Sequence, residues 1–362
     1  MKAKRKYPFE PDYAVPPGET LREVIASLDM TQRELASRTG LTTVTLSRII
    51  KGNQPISYET ANLLELATGV PARMWNNLEA EYREQLAKAN EREQLQAGID
   101  WLKIIPVREL MERGIIETQS DKVLILREVL AFYGVSSIAA WHELWDSPKV
   151  AARRSTCFES KPGPASAWIR IGERVAHNIQ CEPYDVKKFR SALTEIRELT
   201  VEVPEIFEPR MRECCANAGV ALALVPEMKK VPWNGASKWL SPRKAMILLN
   251  LRGKGEDRFW FSLFHEAGHI LHDNKRDLLI NDGSSDDPRE ERANQFAAEF
   301  LIPHELNERI ASARSRTTLM SIASEQAISP GIVAGRYQYL TGKWNYFKKL
   351  IRKFQWDYEK EV

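Results

Sequence analysis

Apolar positions recur at helical spacing along most of the chain. Leu21, Val24, Ile25 and Leu28 form the first stripe. Thr31 with Glu34 has the form of a capping box opening a second helix, Gln32–Thr39, and Gly40 ends it where a left-handed residue is wanted. Thr42 caps a third helix over 43–51, closed by Gly52-Asn53, and Leu35, Ala36, Leu41, Leu46 and Ile49 pack the two together. Five short helices are predicted up to residue 82. Residues 83–105, rich in Glu, Arg, Gln and Lys, continue as a connecting helix or a dimer seam that Ile105-Pro106 stops. From 107 to 181 the pattern is helical again, with Trp141, Trp145 and Trp168 buried and a loop over 160–164. Two helices over 186–218 flank residues 201–209, and short apolar strands follow at 219–225 and 245–250. The run 259–264 is apolar enough for a buried helix, and Ala293, Phe296, Ala297 and Phe300 mark another. Helices are predicted at 317–326 and 329–340. Residues 342–354 mix lysines with Trp344, Tyr346, Phe347 and Phe354, as in a helix packing an aromatic face with its lysines in water.

Two short helices joined by a Gly-containing turn are the physical content of a helix-turn-helix. Its third helix would enter the major groove with Thr42, Thr43, Val44, Thr45, Ser47 and Arg48. Thr and Ser bond either base type, methyl groups touch thymine, and Arg reaches a guanine edge or a phosphate. Gln32 at the start of the second helix, with Lys51 and Asn53, would grip the phosphate backbone.

The sharpest chemical signal is His265-Glu266-Ala267-Gly268-His269. On a helix, residues four apart stack on one face, so both imidazoles reach one cation. Two His and one oxygen donor leave a position open on Zn2+, the catalytic arrangement. Glu266 is the general base for water attacking a carbonyl. The third ligand is expected from Glu290, on the buried face of the 290–302 helix, with Glu291 as the fallback. Asn294, four residues after Glu290, would support a ligand. Gly268 weakens the helix but admits a neighbour. Other His-Glu pairs, at His142-Glu143 and His304-Glu305, lack a second stacked His.

Composition changes this little. The 362 residues suffice for two or three domains, and 43% hydrophobic with 28% charged residues is a globular balance. No window holds 18 uninterrupted apolar residues and the basic N-terminus lacks a signal-peptide core, so a cytoplasmic protein without a membrane span is expected. Cys157, Cys181, Cys214 and Cys215 form no metal pattern. Residues 1–51 carry nine Lys/Arg against six Asp/Glu, a basic bias in the segment expected to meet DNA.

Two resemblances extend the reading. FWFSLFHEAGHILH, then EERANQFAAEFLIP, with GASKWLSPRKAMILLNLRG upstream, resembles the ImmA/IrrE family of zinc metallopeptidases. That implies a zincin-like fold, His265, His269 and Glu290 as ligands, Glu266 as base, and cleavage of a protein, typically a helix-turn-helix repressor. The family often carries another His one full turn after the second ligand. Here His272 comes three residues on, and it is counted with Asn294 among the residues supporting the ligands. The stretch 18–82 resembles the XRE/Cro type and, within it, the HigA antitoxin type, which implies a lambda-repressor-like domain that binds a palindromic double-stranded operator as a homodimer. The expected protein is multidomain, mainly α with α+β. An all-α helix-turn-helix domain spans 1–82, a helical middle region 83–205, a zincin-like metallopeptidase domain with a small sheet 206–342, and a basic aromatic C-terminal helix 343–362. Expected partners are operator DNA, a repressor or antitoxin substrate, and a toxin. The alternative is a HigA-type antitoxin or repressor whose zincin domain binds a partner or ligand without turnover.

Overall fold

The computed structural model describes residues 14–145, 162–273, the backbone of 278–280, and 287–357. The chain divides into two compact units, Met1–Ile99 and Asp100–Val362.

In the first unit α1 (Pro17–Ser27), α2 (Gln32–Thr39), α3 (Thr43–Ile50), α4 (Tyr58–Thr68) and α5 (Ala72–Ala97) surround a core of Leu21, Ile25, Leu35, Leu46, Ile49, Leu64 and Trp75. Leu28, expected in the first stripe, is 45% exposed, because α1 ends at Ser27 and the chain turns through Asp29 in the left-handed region. The capping box forms by half: Thr31 accepts from the Glu34 N–H, but the Glu34 carboxylate turns to Arg38 at 2.6 Å. Gly40 takes φ 71° at the end of α2, and Thr42 accepts from the Thr45 N–H at 3.0 Å. Gly18 has a different reason to lack a side chain: a Cβ there would lie 2.3 Å from the Ile50 Cα. The fifth helix runs on into the expected connector as one 26-residue helix, α5, so the boundary expected at 82 falls inside it; it ends at Ala97, ahead of the stop expected at Ile105-Pro106, and a 3-10 turn over Ile99–Lys103 follows.

In the second unit α6 (Val107–Glu112), α7 (Lys122–Tyr133), α8 (Ile138–Trp145) and α9 (Pro162–Asn178) precede α10 (Val186–Glu198) and α11 (Pro204–Asn217). Lys122–Trp145 is apolar enough to pass for a membrane span, with mean hydropathy 1.7. It is instead broken at Gly134 (φ 69°), and α8 packs back on α7, with Tyr133 and Trp141 edge to face at 5.8 Å. Trp141, Trp145 and Trp168 are buried as expected. Of the loop expected at 160–164, residues 162–164 already belong to α9; 160 and 161, like Cys157, lie outside the described residues. The break expected over 201–209 is short, because α11 begins at Pro204 and runs through Pro209.

The sheet comprises β1 (Val220–Leu224), β2 (Gly235–Ser241), β3 (Lys244–Leu249) and β4 (Leu278–Ile280), in the order β1-β3-β2-β4. β1 and β3 are parallel, with Leu222 opposite Ile247; β2 is antiparallel to both β3 and β4. The central helix α12 (Glu256–His272) packs on β2 and β3, while α9 packs on β1 and β3. Gly172 of α9 leaves room for Leu248, whereas Leu222, Ile247 and Leu249 join the main core with α12. Helices on both faces explain why β1 and β3 read as unbroken apolar runs. α13 (Pro288–Leu301), the short α14 (Asn307–Ala311), α15 (Arg316–Glu325) and α16 (Pro330–Thr341) complete the unit.

The helix expected over 343–362 does not form among the described residues. Gly342 (φ 70°) ends α16, Phe347 also takes a left-handed φ, and a single 3-10 turn at Lys348–Leu350 leads into extended chain. That chain bridges Lys353 to Gly255 and drives Phe354 against Phe207 and Phe259.

Candidate metal centre

α12 begins with Glu256 and Asp257 in its first turn, where carboxylates favour the helix dipole. Phe259, Trp260, Leu263, Phe264, Ala267 and Ile270 anchor it in the core. His265, Glu266 and His269 are all buried as well. The partner helix approaches at Gly268, where a Cβ would stand 3.1 Å from Phe296 Cδ1 and 3.3 Å from the Ala293 Cα. This close crossing carries Glu290 to the two histidines.

The three side chains converge, with Glu290 turning one oxygen to each histidine. His265 Nε2 and His269 Nε2 are 3.0 Å apart. Glu290 places Oε2 3.1 Å from His265 Nε2 and Oε1 3.1 Å from His269 Nε2. Ligands about 2.05 Å from a tetrahedral zinc would be spaced about 3.3 Å apart. The donor set, its spacing and its burial therefore fit that ion. Each histidine is held from behind: His265 Nδ1 meets Asn294 Oδ1 at 2.9 Å, and His269 Nδ1 meets Asp273 Oδ2 at 2.6 Å. Arg292 in turn bonds Asp273. Such outer partners fix ring orientation and raise ligand basicity.

The charges follow from this packing. Burial pushes the Glu266 carboxyl up to about 7, opposed by the two histidines. Burial also works against Glu290, yet its histidine partners hold it down at about 2. For His269, burial is outweighed by Asp273 and Glu290, which raise it to about 9. Both Glu266 oxygens are buried without a hydrogen-bond partner, one residue from His265. A buried carboxylate normally finds donors, so this pair of oxygens has room for a further partner.

Residues 224–337 match the family model of the peptidase family M78, described as an IrrE N-terminal-like domain, and residues 21–75 match a helix-turn-helix family model. The chain joins a helix-turn-helix to an IrrE-like domain. No curated protein matches it. The IrrE-like match starts at the last residue of β1 and stops within α16, so it contains His265, Glu266, His269 and Glu290 but not the C-terminal segment.

Within the IrrE-like domain, sequence reasoning and structure differ at two residues. His272 is exposed and stands edge to face with Phe296, 5.4 Å away, apart from the donor set. Its place is taken by Asp273, which sequence reasoning missed although it lies four residues after His269, on the same helical face. Glu291, the fallback, is exposed, so the choice between the two glutamates falls to Glu290. A second His-acid group, Glu299, His304 and Glu305, is fully on the surface. In the helix-turn-helix, Gln32, Thr42, Thr43, Val44, Arg48, Lys51 and Asn53 are exposed and Thr45 and Ser47 half-buried.

Proposed function

We propose that this chain is a DNA-binding transcription regulator carrying a zinc-dependent endopeptidase, with a helix-turn-helix repressor or antitoxin as substrate. The observation that carries the enzymatic half is the fully buried Glu266 carboxylate beside the converging His265, His269 and Glu290. A module that only stored metal would have no use for an acid there. Bound zinc would polarise the scissile carbonyl and acidify water. His265, His269 and Glu290 would hold the ion, with Asn294 and Asp273 fixing the two rings. Glu266, poised near neutrality, takes the proton from the attacking water and returns it to the leaving amine.

Glu266→Gln keeps shape and volume but removes the base. We expect zinc content unchanged and repressor cleavage lowered at least 100-fold. Equal cleavage by both proteins would end the peptidase reading. For the first unit, the exposed Thr43, Val44 and Arg48 on α3 support major-groove reading by a homodimer on a palindromic operator. Retardation of DNA from upstream of the chain's own gene checks it, with loss on Arg48→Ala. A toxin is a further candidate partner, tested by co-purification with the adjacent gene product.

A further inference from the structure

Among the described residues, the buried side-chain oxygens without a hydrogen-bond partner are Asn234 Oδ1, Ser237 Oγ, both oxygens of Glu266, and Glu290 Oε2. The last faces His265 in the donor set. The rest belong to Glu266 or to the segment 234–237 that touches it. Nearly all buried polar groups in proteins are satisfied, so a local concentration of exceptions is a functional mark. Gly235 and Ser237 stand two apart on β2 and so face the same side. That side is against Glu266: a Cβ on Gly235 would come within 2.7 Å of Glu266 Oε1. Ser237 lies on that same side, 2% exposed and with its hydroxyl oxygen unpartnered. An ionised carboxylate only accepts hydrogen bonds, while a hydroxyl can donate one. A serine buried in the sheet interior, where Ala would pack without a polar penalty, needs a reason.

We propose that Ser237 is a positioning residue acting through Glu266. Its hydroxyl, which has no other partner, turns to donate to one carboxylate oxygen and pins the group against Gly235, which leaves the other oxygen for the water that it deprotonates. The catalytic part of this assignment rests on the peptidase reading; the contact itself does not. The decisive test is a double-mutant cycle on the thermal midpoint of the metal-free, full-length protein, with Ser237→Ala and Glu266→Ala singly and together. We expect Ser237→Ala to lower the midpoint of the second unit by about 3 °C when Glu266 is present and by less than about 1 °C when it is absent. On a cleaved repressor, Ser237→Ala should lower kcat about tenfold with KM and zinc content unchanged, and Ser237→Thr, which keeps the hydroxyl, should recover most of it. Additive midpoint shifts, or wild-type kcat in Ser237→Ala, overturn the proposal. Coupled midpoints in a wild-type protein that cleaves nothing would remove the peptidase and keep the Ser237–Glu266 contact.

Discussion

On the proposed reading, metal affinity would depend on residues outside the donor set as well as on the three donors. Asp273 is the clearest case, since it holds His269 at 2.6 Å and is itself held by Arg292. Asp273→Asn should weaken zinc binding by about 10- to 100-fold while the fold stays intact, as chelator competition will report. The same contact gives a pH dependence. His269 in the metal-free protein titrates at about 9, above its ordinary 6.5. Its protonated form therefore stabilises the metal-free fold fully below pH 6.5, and this contribution disappears as pH rises through 9. Zinc must displace that proton, so apparent zinc affinity should rise about tenfold between pH 7 and pH 8 and level off above 9. An affinity flat across that interval would show that Asp273 and Glu290 do not hold His269 charged.

At the scale of elements, α12 is fixed at both ends by different means. Its far end carries the ligands and crosses α13 at Gly268. Its first turn is tied to the C-terminal segment, where the fully buried Glu256 accepts from the Arg352 N–H at 2.9 Å and from Nε at 2.6 Å. Arg352 also reaches the carbonyls of Thr200 and Glu202, so one guanidinium joins three stretches of chain. Gly331 is bound to this arrangement, because a Cβ there would sit 2.0 Å from Glu256 Oε1. Arg352→Met strands a buried carboxylate and should cost about 3–5 kcal/mol, seen as a large drop in the denaturation midpoint. Gly331→Ala, which overpacks the same spot, should cost about 1–3 kcal/mol. A midpoint unchanged by Arg352→Met would mean that the segment after α16 does not brace the metal helix. The lysines and aromatics there read as a helix because their spacing allows one; Phe354 instead finds a slot between Phe207 and Phe259 that only the folded core creates.

For the whole molecule, each unit has its own apolar core, one around Trp75 and one around α12. Stripping zinc should therefore lower the unfolding temperature of the unit 100–362 by several degrees and leave that of 1–99 in place, as two calorimetric transitions would record. Operator retardation should be unaffected by the chelator. The helix-turn-helix and the His265–His269 motif were legible in the chain, whereas the joining of residues 100–205 with the segment that carries the histidines in one compact unit was not. Capping threonines, Gly40 and the apolar stripe dictate α2 and α3 through contacts a few residues long, and the four-residue step from His265 to His269 is built into any helix. The apolar positions Ala293, Phe296, Ala297 and Phe300 also show which face of α13 turns inward, and so narrow the third donor to its first turn. Choices between segments distant in sequence were not written locally. That Glu290 rather than Glu291 meets the histidines, that Asp273 rather than His272 supports them, and that Gly235 and Ser237 wall in Glu266 follow from how α12 lies on β2 and crosses α13. Helical periodicity is a property of neighbours within a turn, whereas this donor set needs atoms from two helices within about 3 Å, and only close packing in three dimensions selects them.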